Sequence, residues 1–217
     1  LSTLACCVLL FLALPAPVRG PARHYRETAA WWQRVVGPYL SRGRAGDWGQ
    51  HALDFGNQSL QAVAHRYLRR VDAHVMARRP SGPLYVNVAK LSEPQVNAII
   101  LGLFAGLAVS FLAACGWEQP AEPLPRAAEH SLAVILLLVV SALSWTYFFV
   151  MLLLPALTAL ELLRERRRLR ALSIWMLRAG LWSLPVATLL LVNASARALG
   201  ALCWATLLLY SGLAMAC

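Results

Sequence analysis

The run SLAVILLLVVSALSWTYFFVMLLL, residues 131–154, is the most apolar stretch of the chain, and its reading decides the fold. A helix crosses a bilayer core of about 30 Å with about 20 apolar residues. The run is long enough, and Pro155 follows it directly, so it reads as one membrane span. Three other runs have the same character, at 95–114, 172–192 and 196–216. The first of these is preceded by Ser92, Glu93 and Pro94, a helix start with proline in the first turn. The last two are separated only by residues 193–195, which predicts an antiparallel helical hairpin. The expected fold class is all-α: an integral membrane helical bundle of three or four spans with an amphipathic helical N-terminal region.

Composition agrees with that frame. The chain is 59% hydrophobic and 14% charged, against about 45–50% and about 25% for soluble domains. This excludes an ordinary soluble enzyme and a disordered chain. Twenty basic and ten acidic residues give a net charge of +10, and every basic residue but Lys90 is arginine. In a membrane protein such an excess sets topology and contacts anionic headgroups. The expected partners are therefore the lipid bilayer with its anionic headgroups, and a homo-oligomer or a larger membrane complex. No nucleic acid, cofactor or metal is expected.

Upstream of the spans, residues 1–20 read as a cleavable signal peptide, apolar to Val18 and ending on Val18-Arg19-Gly20. Residues 21–94 then form a basic, soluble and luminal region. A short helix is predicted over 25–36, with Trp31 and Trp32 to bury. A second, amphipathic helix follows from Leu53, Leu60, Val63, Ala64, Tyr67, Leu68, Val71 and Val75 at helical spacing, with His65, Arg66, Arg69 and Arg70 on the solvated face. Asn57-Gln58-Ser59 is a glycosylation sequon usable in the lumen, and Asn193-Ala194-Ser195 is a second, close to the bilayer.

These readings conflict over topology. A luminal 21–94 region and four crossings put the cluster Arg164, Arg166, Arg167, Arg168 and Arg170 in the lumen, where the positive-inside rule does not want it. Either 95–114 does not cross fully, or the N-terminal region is cytosolic. A luminal N-terminal region with three or four crossings is the favoured reading.

Several residues stand out for what they could do. Gly102, Gly106 and Ser110 recur every fourth residue, a small-residue face that lets another helix backbone approach, within the bundle or across an oligomer seam. Arg178 lies inside an apolar run, where it either snorkels to headgroups or faces a polar interior. Ser141, Ser144 and Thr146, with Tyr147, form a polar stripe that serves interhelical hydrogen bonds or lines a pore. The arginine cluster reads as a membrane-surface patch. The five cysteines and five histidines show no metal-ligand spacing, and no nucleophile elbow, phosphate loop or dinucleotide-binding glycine pattern occurs. The chain is not expected to be an enzyme.

Short strings resemble the mitsugumin-type family of small endoplasmic-reticulum and nuclear-envelope membrane proteins, which includes the BRI-binding protein. Lys90-Leu91-Ser92-Glu93-Pro94-Gln95-Val96, followed by Gly102, Ala105 and Gly106, resembles the start of that family's first span. Trp175-Met176-Leu177-Arg178 resembles its W-x-x-[KR] string, and Ser195-Ala196-Arg197-Ala198-Leu199 the start of its last span. Tyr25-Arg26-Glu27-Thr28 resembles the start of the luminal region in one branch. The chain departs from the family in its extra apolar segment at 131–154 and in carrying no charged coiled-coil tail after the last span. The resemblance implies a cation-conducting or channel-associated oligomer of the endoplasmic reticulum or nuclear envelope, with Arg178, Ser141, Ser144 and Thr146 facing its polar interior. The alternative is an accessory or scaffold subunit of a larger membrane complex.

Overall fold

The computed structural model describes residues 17, 20–33, 37, 53–74, 82–115, 122–141, 144–165 and 169–217. The predicted signal segment, Pro17 and Gly20 apart, and Arg166, Arg167 and Arg168 lie outside them. Among the described residues all regular structure is helical, apart from one isolated antiparallel bridge between Asn57 and Trp145. The chain divides into two units, Leu1–Gly49 and Gln50–Cys217.

In the first unit, Pro21–Trp31 forms α1, with Pro21 in its first turn. The helix starts earlier than the sequence predicts, its predicted last residues 34–36 lie outside the described residues, and Trp31 and Trp32 are exposed instead of buried.

The second unit contains the remaining elements: α2 (Leu60–Leu68), α3 (Glu93–Cys115), α4 (Pro123–Val140), a 3-10 turn (Thr146–Leu152) leading into α5 (Leu153–Arg164), α6 (Ala171–Leu190), α7 (Ala194–Ala198) and α8 (Ala201–Ala214). Four segments are long and apolar enough to cross a bilayer: Glu93–Cys115, Pro123–Val140, Thr146–Arg164 and Ala171–Leu190. The protein is a multi-pass helical membrane bundle. The predicted start of α3 holds, with the Ser92 amide donating to Gln95 Oε1 at 2.9 Å.

Four candidate spans fit the expected three or four, and those at 95–114 and 172–192 are found where predicted, but the other two differ. The 131–154 run is not one span. Helix α4 ends at Val140, and a new crossing begins at Thr146. The break is possible because its backbone polar groups find partners that lipid cannot supply. Asn57 Oδ1 accepts from the Ser144 amide at 2.9 Å, the Gln58 amide donates to the Ser144 carbonyl at 2.7 Å, and the Ser144 hydroxyl bonds the Leu138 carbonyl. The two helices then run back along each other, with the Ser131 and Thr158 hydroxyls 3.0 Å apart between them.

The 196–216 run also differs. It divides into α7 and α8 at Gly200, whose φ of +71° suits glycine; a Cβ there would come within 2.5 Å of Val63 Cγ2. Helix α8 has 14 residues, about 21 Å at helical rise. It forms the centre of the bundle, with Leu202, Cys203, Leu209 and Leu213 almost without exposed surface.

The extra reversal at 141–145 removes the topology conflict. Residues 53–74, the 141–145 turn and the 193–200 turn meet at one end of the bundle, where α3 begins with an Arg69–Glu93 ion pair of 3.0 Å. From there the helices alternate, so Arg164 and Arg170 emerge at the opposite end. Within the second unit, residues 53–74 and the described arginines Arg164 and Arg170 lie at opposite ends.

Residues 53–74 do not form part of a separate soluble region. Helix α2 is short, and Leu60 to Arg66 are all buried, including His65 and Arg66 of the face expected to be solvated, while Arg69 is half-buried and Arg70 exposed. These residues belong to the second unit, Gln50–Cys217.

The predicted hairpin is present as α6 packed antiparallel on α8. Its close contact is made by glycines. A Cβ on Gly180 would sit 2.7 Å from Leu209 Cα, and one on Gly212 2.7 Å from the Leu177 amide nitrogen. The Ser173 hydroxyl donates to the Met215 carbonyl at 2.9 Å near the far end of the same seam. At Gly102 and Gly106, by contrast, nothing lies within 4 Å of an added Cβ. Gly180→Ala and Gly212→Ala are each expected to cost about 1–3 kcal/mol, because a backbone must move rather than a flexible side chain. Gly102→Ala and Gly106→Ala should be neutral or gain up to about 1 kcal/mol from helix propensity. Unfolding of the four variants in detergent micelles checks the contrast; equal effects at both pairs would remove the α6–α8 seam.

Candidate functional site

Two polar constellations stand out in the second unit, one at each end. The first is a buried junction. Ser59 caps α2, its hydroxyl accepting from the Ala62 amide at 3.2 Å. One turn further along α2, Arg66 has no exposed surface. Its Nε donates to the Ala198 carbonyl at 2.8 Å, and its Nη1 to the carbonyls of Asp54 at 2.8 Å and Asn57 at 2.9 Å. Gln58 Nε2 bridges the Phe55 and Arg197 carbonyls at 2.7 and 2.8 Å. Arg197 lays its guanidinium over the Phe55 ring, 4.1 Å from the centroid. Burial pulls the Arg66 guanidinium down to about 10, so it still carries its charge at neutral pH. The junction ties the 53–58 segment to the turns after α4 and α6. The hydrogen bonds of Arg66 and Gln58 run to backbone carbonyls, which fixes structure.

Sequence reasoning missed Arg66 because helical spacing assigned it to a solvated face. The hint was local. A helix with Asn57, Gln58 and Ser59 at its start carries more neutral polar groups than a water-facing surface needs.

Asn57 belongs to this junction. It has no exposed surface, and its Oδ1 accepts from the Ser59 and Ser144 amides. A glycan on Asn57 is incompatible with this packing. Asn193 is exposed, and its Oδ1 caps α7 by accepting from the Ser195 amide at 2.8 Å.

Nor do the expected polar-interior residues converge. Ser141 and Ser144 sit in the turn after α4, and Thr146 begins the following 3-10 turn. Arg178 lies on α6 with an exposed side chain, away from that turn. Between them the bundle is filled by Leu132, Ile135, Leu177 and Leu209, all fully buried. Gly102 and Gly106 face outward on α3, while the Ser110 hydroxyl meets that of Tyr210 at 2.8 Å. The predicted small-residue face therefore divides: Ser110 packs within the bundle, and the glycines do not.

The second constellation lies at the arginine end. Arg178 and Arg164 line one groove of about 530 Å³ between α5 and α6, whose other walls are apolar. Arg164 also pairs with Glu161 at 3.0 Å. Arg170, like Arg164, is exposed. Among the described residues no group of three His, Cys, Asp or Glu side chains could hold a metal ion.

No family model, curated protein or solved structure matches this chain.

The functional reading therefore rests on the geometry of the bundle itself.

Proposed function

We propose that this chain is a non-enzymatic, multi-pass membrane protein serving as an accessory or scaffold subunit of a larger membrane complex, in the endoplasmic reticulum or nuclear envelope. One observation carries this reading. Arg178 is held apart from Ser141, Ser144 and Thr146, and the interior between them is packed with leucine and isoleucine. Ion passage needs polar groups that replace hydration along a continuous path. A single bundle of this kind offers apolar packing in that place. The outward face of α3, where Gly102 and Gly106 have open space, is where another helix could pack closely.

The positive-inside rule supports a cytosolic arginine end and a luminal Arg66 junction, as a signal segment at 1–20 would require. The resemblance to the mitsugumin-type family supports the choice of membrane.

Purified protein reconstituted in liposomes tests the proposal. The expected result is no cation flux above that of empty vesicles, with the chain either monomeric or co-purifying with a different membrane protein. A defined homo-oligomer whose flux changes on Arg178→Gln would overturn it in favour of a channel formed between copies.

A further inference from the structure

We propose that the groove between α5 and α6 is a binding site for one anionic glycerophospholipid, taken from the leaflet at the arginine-cluster end. Arg178 is seven residues beyond the start of α6 at Ala171, about 10 Å along the helix axis. That places a guanidinium inside a membrane-crossing segment, where an unpaired charge is costly. Among the described residues it makes no hydrogen bond or ion pair, and its side chain is exposed. A charge in that position needs an anion, and among the described residues none pairs with Arg178.

The groove explains why the anion is a lipid held at a defined place. Arg164, at the last residue of α5, lines the same groove, so two guanidiniums border one opening. Arginine presents a planar fork that matches phosphate oxygens two at a time. The remaining wall is apolar, with Leu160 on α5, Leu181 and Pro185 on α6, and Trp182 at its edge. A phosphodiester against the arginines and an acyl chain against this wall would satisfy both surfaces together. A free phosphate would leave the apolar wall unfilled. A zwitterionic lipid brings its own ammonium to the phosphate, whereas among the described residues the one ion pair to these arginines is that of Glu161 with Arg164. The complementary ligand is a lipid with net negative charge, such as phosphatidylinositol or phosphatidylserine.

Native mass spectrometry of the delipidated protein in detergent tests the site, titrated with phosphatidylinositol, phosphatidylcholine of the same chains, or inorganic phosphate. One phosphatidylinositol should bind at least about tenfold more tightly than phosphatidylcholine, as expected for a charge-assisted contact. Arg178→Gln and Arg164→Gln should each weaken it by about tenfold. Arg170→Gln, at the same end but outside the groove, should not. Leu160→Trp keeps both arginines and fills the apolar wall, so it should also lose the lipid. Gel filtration of each variant shows that the fold is retained. Equal binding of phosphatidylcholine, an equal loss on Arg170→Gln, or full competition by inorganic phosphate would each overturn the proposal. The first two would indicate snorkelling or a diffuse surface attraction, and the last a soluble-anion site.

Discussion

Arg66→Ala is expected to destabilise the protein by about 3–5 kcal/mol, a large share of the roughly 5–15 kcal/mol that holds a folded domain together. The reason lies in the acceptors rather than in the charge. The carbonyls of Ala198 and Asn57 accept from this one side chain, and that of Asp54 accepts from it as well as from the Asn57 amide; truncation takes a donor from all three. A buried ion pair can often be replaced by two apolar residues at little cost. That route is closed here, because the partners belong to the backbone and no substitution removes them. Arg66→Met, close in length and apolar, should therefore be nearly as damaging as alanine. Arg66→Lys keeps a charge and donors but delivers them from a single point, so it should fall between wild type and Arg66→Met. Arg70 provides the control. It is exposed and makes a cation–π contact with Tyr85 at 5.3 Å, so Arg70→Ala should cost less than about 1 kcal/mol. Unfolding free energies in detergent micelles measure all four. Wild-type stability in Arg66→Met would show that the junction does not hold the turns together.

The same junction explains what the sequence could and could not reveal. Apolar length alone identifies helices and membrane crossing, because a lipid-exposed helix must carry apolar residues whatever it packs against. Two features were readable on that basis: the α6–α8 hairpin and the capped start of α3. With the turn placed near residue 194, equal steps outward bring Gly180 against Leu209 and Gly212 against Leu177. The glycine seam was thus within reach, but the regular spacing of Gly102, Gly106 and Ser110 on α3 drew attention first. Spacing says that a face is smooth; it does not say that anything covers it.

The turn at 141–145 was hidden for a different reason. A turn at the water surface announces itself with glycine, proline or charge. Here Ser144 is buried, and the groups that bond its backbone come from Asn57 and Gln58, more than eighty residues earlier. Nothing local marks it beyond two serines. Length was the available warning. Between Pro123 and Arg164 the chain holds two helical segments of 18 and 19 residues, about twice what one crossing requires. Arg66 was misread by the same local logic, since helical periodicity assumes that the face opposite an apolar stripe meets water.

Sidedness is where the two readings of 131–154 differ most, and the expected effect is close to all-or-none. If that run were one span, the cluster end would share a face with the N-terminal segment, and the 193–195 turn would lie across the membrane from both. With the reversal at 141–145, the 193–195 turn joins the start of α3, and Arg164 and Arg170 stand opposite. Single cysteines at exposed positions separate the cases: Lys90→Cys beside the start of α3, Arg170→Cys before α6 and Ser195→Cys in the turn after it. The native cysteines are replaced by alanine, and a membrane-impermeant maleimide is added to sealed vesicles of known orientation. Lys90→Cys and Ser195→Cys should label from one face, and Arg170→Cys only from the other. Shared labelling of Lys90→Cys and Arg170→Cys would restore the single span and remove the reversal. The asymmetry also bears on why the buried junction exists. A break in the middle of an apolar run exposes backbone groups that lipid cannot satisfy, and water reaches them only at a bundle end. Asn57, Gln58 and Arg66 serve such groups from protein instead, so the end where three turns meet can be dry, and the reversal that sends the arginines to the opposite side costs little.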